Sequence, residues 1–395
     1  VSSVDKIDIL AAKHDQAQDL LANSEMDAWI TFAREAGDPI GPLVVGTEYV
    51  GEAAFIFTEE EKVALCADYD TLPIERLGLF DEVVSYSVGI EREMQETLKR
   101  LNPARIGLNF STSDERADGL THGMYLKLCQ IADEALSDYT FVSAAKLEGK
   151  LRSLKVEGEV ERIKAAIQVS EEIFAGLREF IEPGRTELDV ARYIKSEAED
   201  RGASLSGEWP IVATGEAGLA HRDPSKAPVK AKDVVVIDLG LRKEGYCSDF
   251  ARTYFVPPPD GGVPPSLKRR VKAVAETISY AASLIEPRLA GYEMKEKADE
   301  FLSERGISPP RFALGHQVGT AVHDGGLVLG PRTPRYEGRV EGEIEAGNVF
   351  TLEPFLVPEE GEEEHPVGIE EIVLVRSDGA ELLTEPQTEP LVVGK

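Results

Sequence analysis

Asp238 and Asp249 belong to a stretch, Asp233 to Val256, that opens with the apolar β-branched run Val234-Val235-Val236-Ile237. Such a run reads as a buried strand, which places Asp238 inside the strand rather than beyond it. Arg242-Lys243-Glu244-Gly245 reads as a turn, and a second strand is expected from about Tyr246 to Phe255, with Asp249 in it. The midpoint between the aspartates falls between Lys243 and Glu244, so a hairpin closing there makes them cross-strand neighbours on one face. Directly opposed residues have Cβ atoms roughly 4.5–5.5 Å apart, and like charges so placed repel. A buried, unpaired carboxylate is costly unless it takes up a proton. Two in one place need a cation, and a divalent metal is the natural one; the competing reading has one aspartate facing solvent and the other capping a turn.

The elements that hold this hairpin recur. Ile181-Glu182-Pro183 returns as Ile285-Glu286-Pro287 and Arg201-Gly202 as Arg305-Gly306, both at an interval of 104 residues. Each copy follows a predicted helix, Val160 to Phe180 and Leu267 to Leu284. Each contains a second helix that stops at its Arg-Gly pair, where a C-cap glycine belongs. A duplication predicts a second carboxylate-bearing hairpin. Asn348 to Glu353 reads as a strand and Val367 to Val375 as its return, with Glu353 and Glu370 sharing a midpoint inside the acidic loop Pro358 to Pro366. Glu371 rivals Glu370, because neighbouring strand residues face opposite ways. The run Glu359 to Glu364 reads as solvated. Four converging carboxylates over-supply one metal, whereas two divalent ions sharing bridging carboxylates fit the charge.

The histidines add to this pattern. His316 and His323 lie in Gly315-His316-Gln317-Val318-Gly319-Thr320-Ala321-Val322-His323, after the second copy of the helix pair. His221 closes Ala213-Thr214-Gly215-Glu216-Ala217-Gly218-Leu219-Ala220-His221, after the first. Matching positions in a repeat, beside glycines, give these three a site role. His14 and His122 are isolated and read as surface or structural residues.

The set Asp238, Asp249, His316, Glu353 and Glu370, with His221 before the first aspartate and His323 after the ligand histidine, resembles the metallopeptidases of the pita-bread fold. That family includes methionine aminopeptidases, aminopeptidase P and the prolidases. The resemblance implies an α/β (α+β) fold: a creatinase/prolidase-like N-terminal α/β domain, residues 1–150, then a pseudo-two-fold pita-bread catalytic domain, residues 151–395. It implies two divalent ions bridged by Asp249 and Glu370, with Asp238 completing one site and His316 and Glu353 the other. A water bridging two cations loses a proton more easily than bulk water, giving a hydroxide that attacks the scissile carbonyl. The resemblance gives Glu353 the proton shuttle, and gives His221 and His323 hydrogen bonds to substrate and tetrahedral intermediate. Oxygen-rich ligands with one imidazole suit Mn²⁺, with Co²⁺ or Zn²⁺ as substitutes. The sequence departs from the family pattern twice. Gln317 stands where glycine usually follows the ligand histidine, and Gly368 stands where arginine often precedes the last glutamate by two residues. Neither is a ligand, but the second removes part of the usual substrate-orienting network.

The resulting expectation is an Xaa-Pro dipeptidase (prolidase) acting on small proline-containing peptides. The alternatives are an aminopeptidase P that trims longer Xaa-Pro peptides and a peptide-binding module without catalysis. Arg332 and Arg335, just past His323, are candidates to grip a free carboxylate, with ordinary surface arginines as the competing reading. The loop Arg34 to Gly46 is a further candidate to close the site, with a dimer partner as one source of it, and a homodimer is expected. A net charge of −29 argues against nucleic acid. No apolar run approaches a membrane span of ~18–20 residues, the charged start does not read as a signal peptide, and Cys66, Cys129 and Cys247 suggest no disulfide framework. A cytoplasmic location is expected.

A chain of 395 residues predicts two domains. In the first, Ala28 to Phe32, Ala53 to Phe57, Val63 to Ala67, Val83 to Ser87 and Arg105 to Asn109 read as strands and Glu91 to Leu101 as a helix. The charged passage Leu147 to Glu161 reads as the boundary.

Overall fold

The computed structural model describes residues 3–215, 223–357 and 366–394. It divides into two compact units between Gly158 and Glu159. The passage 147–161, expected as a boundary, contains that division but is helical rather than a linker. Leu147 and Leu151 turn inward on a helix over Ala145–Ser153, and the next helix opens at Glu157.

The first unit is a mixed six-stranded sheet, order β4-β3-β2-β1-β5-β6. Its strands are β1 (Ala28–Arg34), β2 (Glu52–Phe57), β3 (Lys62–Ala67), β4 (Glu82–Tyr86), β5 (Arg105–Leu108) and β6 (Thr140–Ser143). Alternation divides β1 and β2 between two cores. Ile30, Phe32, Ala54 and Ile56 join one; Trp29, Ala53, Phe55 and Phe57 join the other. His14 is buried edge-on to Phe57 and Phe80, with Nε2 2.6 Å from the Val44 carbonyl oxygen. Burial pushes its imidazole down to about 4. His122 is exposed at the start of a helix, His122–Ala135.

The second unit carries the repeat. Four helices form its outer layer: α1 (Glu157–Phe180), α2 (Glu187–Asp200), α3 (Pro265–Leu284) and α4 (Gly291–Ser303). Its strands are β7 (Ser204–Leu205), β8 (Ile211–Thr214), β9 (Val234–Lys243), β10 (Tyr246–Phe255), β11 (Gly315–His316), β12 (Val328–Leu329), β13 (Val349–Leu352), β14 (Glu371–Arg376), β15 (Gly379–Leu382) and β16 (Leu391–Val392). Gly202 and Gly306 adopt φ of 66° and 70° just past α2 and α4, as a left-handed helix stop requires. The repeat extends to backbone strain: Gly184 and Arg288, again 104 apart, hold φ of 101° and 83°. Among the described residues no helix is long and apolar enough to cross a membrane.

The β9–β10 hairpin corrects one expectation. Lys243 pairs with Tyr246, leaving a two-residue turn in which Glu244 and Gly245 hold φ of 53° and 87°. Two positive φ values match the twist of the flanking strands, and this geometry sets the register. Asp249 therefore faces Gly240, and Asp238 faces Ala251. The aspartates are diagonal rather than directly opposed, still on one face, at a spacing of roughly 7–8 Å between backbones.

Candidate metal centre

Strand β9 shows how the sequence builds the centre. Its odd positions, Val235, Ile237, Leu239 and Leu241, enter the core beneath α1 and α2. Its even positions begin as Val234 and Val236 in a second core with Phe255, Phe350 and Leu352, then change to Asp238 and Gly240. The centre lies where that second apolar face ends. Glu353 follows β13 directly, and Glu370 directly precedes β14. Leu352 pairs with Glu371, and the isolated bridge Leu356–Val367 keeps the same count, so Glu353 and Glu370 are opposed in register between them. The residues 358–365, which hold their midpoint, lie outside the described residues.

His316 is held by β11. Its backbone N–H donates to Thr351 Oγ1 at 3.1 Å. A β-carbon on Gly315 would lie 1.9 Å from the Thr351 carbonyl oxygen, so the residue before the histidine has to be glycine. His316 Nδ1 is 3.2 Å from the Gln317 carbonyl oxygen. A carbonyl accepts, so the proton sits on Nδ1 and Nε2 presents a lone pair.

That lone pair faces carboxylates. Nε2 lies 3.4 Å from Glu353 Oε1 and 3.7 Å from Asp249 Oδ2. One ligand atom each from Asp249, His316 and Glu370 falls within 4.8 Å of the others. Burial, then the neighbouring His323, pushes the His316 imidazole down to about 3. It stays neutral and supplies no balancing charge. Asp249 and Glu370 are buried, and desolvation followed by repulsion from neighbouring carboxylates holds both well above the usual range. Burial, then Asp238, pushes Glu353 up to about 8. Asp238 repels all three, which places it in the same group. Converging carboxylate oxygens and one imidazole nitrogen fit divalent cations.

Residues 161–377 match the model of metallopeptidase family M24. The chain belongs to family M24. This M24 chain is 26% identical to the Xaa-Pro dipeptidase of Pyrococcus furiosus over 358 residues, 89% of this chain and 91% of that protein. Among solved structures, an Xaa-Pro dipeptidase from Bacillus anthracis gives a TM-score of 0.78 at 22% identity, covering 97% of this chain and all of that one (100%). An X-Pro aminopeptidase from Thermotoga maritima gives 0.77 at 24%, covering 96% and 100%. The chain thus has the pita-bread fold of the M24 peptidases, a family that uses divalent metals.

The other expected residues do not all adjoin this centre. Glu371 turns away and pairs with Arg252 at 3.0 Å, which leaves Glu370 as the residue facing the cluster. The exposed His323 stacks obliquely on His316, ring centroids 4.3 Å apart. Its loop is braced by buried Asp324, whose Oδ1 accepts from Thr320 Oγ1 and Ala321 N. His221 lies outside the described residues. The positions flanking its segment share one buried anchor: Glu187 accepts from the N–H and hydroxyl of Thr214 and from those of Ser225, at 2.7–3.0 Å. Exposed Arg332 lies over the Tyr292 ring at 3.3 Å, and exposed Arg335 over Tyr336 at 5.5 Å. Among the described residues neither contacts the carboxylates.

Sequence reasoning missed Arg339, the half-buried cation that acts on His316 and donates from Nε to the Gly326 carbonyl oxygen at 3.2 Å. Nothing local distinguishes it from Arg332 and Arg335. Gly368 is buried with its N–H and carbonyl both bonded to the Thr253 hydroxyl, at 3.0 and 2.7 Å.

Proposed function

We propose that this M24 chain is an Xaa-Pro dipeptidase working with two divalent ions, preferably Mn²⁺, held by Asp238, Asp249, His316, Glu353 and Glu370. The observation that carries the reading is the neutral imidazole of His316 brought together with the carboxylates of Asp249, Glu353 and Glu370. The ions, when bound, acidify water and polarise the scissile carbonyl. The side chains do the rest. Asp249 and Glu370 would be the carboxylates shared between the two ions. Glu353 Oε1, at the half-buried edge of the cluster, accepts a proton and passes it to the leaving imide nitrogen. His323, exposed beside His316, donates to the substrate carbonyl.

The dipeptidase reading is tested with Xaa-Pro dipeptides against Xaa-Pro-Xaa tripeptides at saturating Mn²⁺. Dipeptides are expected to be cleaved and tripeptides left. Substantial tripeptide turnover replaces the reading with the second one, an aminopeptidase P. Chelation should abolish turnover and Mn²⁺ restore it. A chain indifferent to both is a binding module.

We assign the grip on the substrate's free carboxylate to Arg339, the half-buried arginine whose charge acts on His316. Arg339→Ala is expected to raise KM for the dipeptide by roughly tenfold or more with kcat little changed, the pattern of lost uniform binding. Arg332→Ala and Arg335→Ala should stay within about twofold of wild type. Equal effects from all three would remove Arg339 from this role.

A further inference from the structure

We propose that buried Arg252, Glu371 and Gln387 are positioning residues that set the separation of Asp249 and Glu370, and with it the affinity for the second metal ion. The inference rests on the dinuclear reading above and concerns how the chain holds its two shared ligands in register.

Asp249 lies on β10, in the sheet ordered β16-β10-β9-β7, whereas Glu370 adjoins β14 in the separate sheet β13-β14-β15. No ladder joins β10 to β14, so strand pairing does not fix the distance between the two carboxylates. A polar seam does. Glu370 N–H donates to the Ala251 carbonyl oxygen at 3.2 Å. Arg252 points to the opposite face of β10 from Asp249 and is 5% exposed, with its guanidinium over the Phe250 ring at 4.6 Å. Its Nη1 donates to the carbonyl oxygens of Glu370 at 2.9 Å and Ala251 at 3.0 Å. Its Nη2 donates to Glu371 Oε2 at 3.0 Å and to the Glu385 carbonyl oxygen at 2.8 Å. One rigid fork thus grips the ligand residue Glu370 by its backbone and the next residue by its side chain.

The seam closes through the chain that follows β15. Glu371 also accepts from Thr384 Oγ1 at 2.5 Å and from Gln387 N–H at 2.9 Å. The Gln387 amide then reads the backbone of β10, accepting from Thr253 N–H at 2.9 Å and donating to its carbonyl oxygen at 2.7 Å. Removing one partner of a buried ion pair is destabilising, but replacing both with groups of similar shape is often neutral. A seam serving stability alone would therefore tolerate joint replacement. One that aims Glu370 would not, because no apolar side chain can hold the Glu370 carbonyl oxygen.

The test compares chelator-stripped wild type, the double variant Arg252→Met with Glu371→Gln, and Arg252→Lys. Lysine keeps a cation beside Glu371 but lacks the fork. Mn²⁺ binding is followed by calorimetry and by the paramagnetic resonance signature of a coupled Mn²⁺ pair, and melting temperature is recorded alongside. The expected result is a first ion bound as in wild type and a second bound roughly 10–100-fold more weakly. The coupled spectrum should be replaced by that of isolated Mn²⁺, in any variant whose melting temperature stays near wild type. Wild-type binding of both ions in the variants overturns the positioning role, as does metal loss that merely tracks loss of melting temperature. If wild type itself takes up no Mn²⁺, the dinuclear reading fails, an outcome visible before any variant is compared.

Discussion

Asp249→Asn is expected to lower kcat/KM on Xaa-Pro dipeptides by roughly 10³-fold or more, while the metal-free variant melts no lower than metal-free wild type. The second half of this expectation follows from geometry. Asp249 is buried, its backbone is fixed opposite Gly240 by the β9–β10 pairing, and its carboxyl is raised by desolvation and then by Asp238 and Glu353. Asparagine has the same shape without the charge, so it removes repulsion that the folded chain otherwise carries. Stability and function should therefore separate: Mn²⁺ should raise the melting temperature of wild type much more than that of the variant. Turnover within about tenfold of wild type would show that Asp249 is not a ligand the reaction needs.

Metal-free protein should lose stability as pH rises from about 4.5 to 8, and Mn²⁺ should restore it most at the upper end. Glu353 moves from its ordinary 4.5 up to about 8, and Asp249 and Glu370 move in the same direction. When the folded form holds protons that the unfolded form has released, stability falls with rising pH. The loss begins at the unfolded pKa and is complete above the folded one. Divalent ions displace those protons, so their affinity rises over the same interval. A fall of about 10 °C in melting temperature from pH 5 to pH 8 without metal, largely recovered with excess Mn²⁺, is the expected size. The net charge of −29 also opposes folding as pH rises, but that surface repulsion is screened by salt and the buried cluster is not. The comparison therefore belongs in high salt. A flat or rising profile in metal-free protein would sink the claim that these carboxyls are held protonated by burial.

Much of the centre was legible because its determinants are local. Strand alternation puts Asp238 on a face opposite Ile237 and Leu239, and a 104-residue repeat carries the same logic to the second hairpin. The register that opposes Glu353 to Glu370 follows from the sequence midpoint, and the observed pairing agrees. The first hairpin did not obey its midpoint. A two-residue turn through Glu244 and Gly245 was available, and its positive φ values moved the partners by one position on each strand.

The amino-acid order alone offered the candidate carboxylates and histidines, with Glu370 and Glu371 left as rivals, since periodicity, turn residues and duplication are properties of neighbours along the chain. The tertiary structure alone decided which of Glu370 and Glu371 faces the cluster, that Arg339 is the arginine acting on His316, and that Arg252 ties the two hairpins together. Those facts depend on groups as far apart as 118 and 119 residues, brought together across sheets that share no ladder. Side-chain hydrogen bonds between such segments leave no period in the sequence, because nothing about residue 252 constrains the spacing to residue 371 until the chain has closed upon itself.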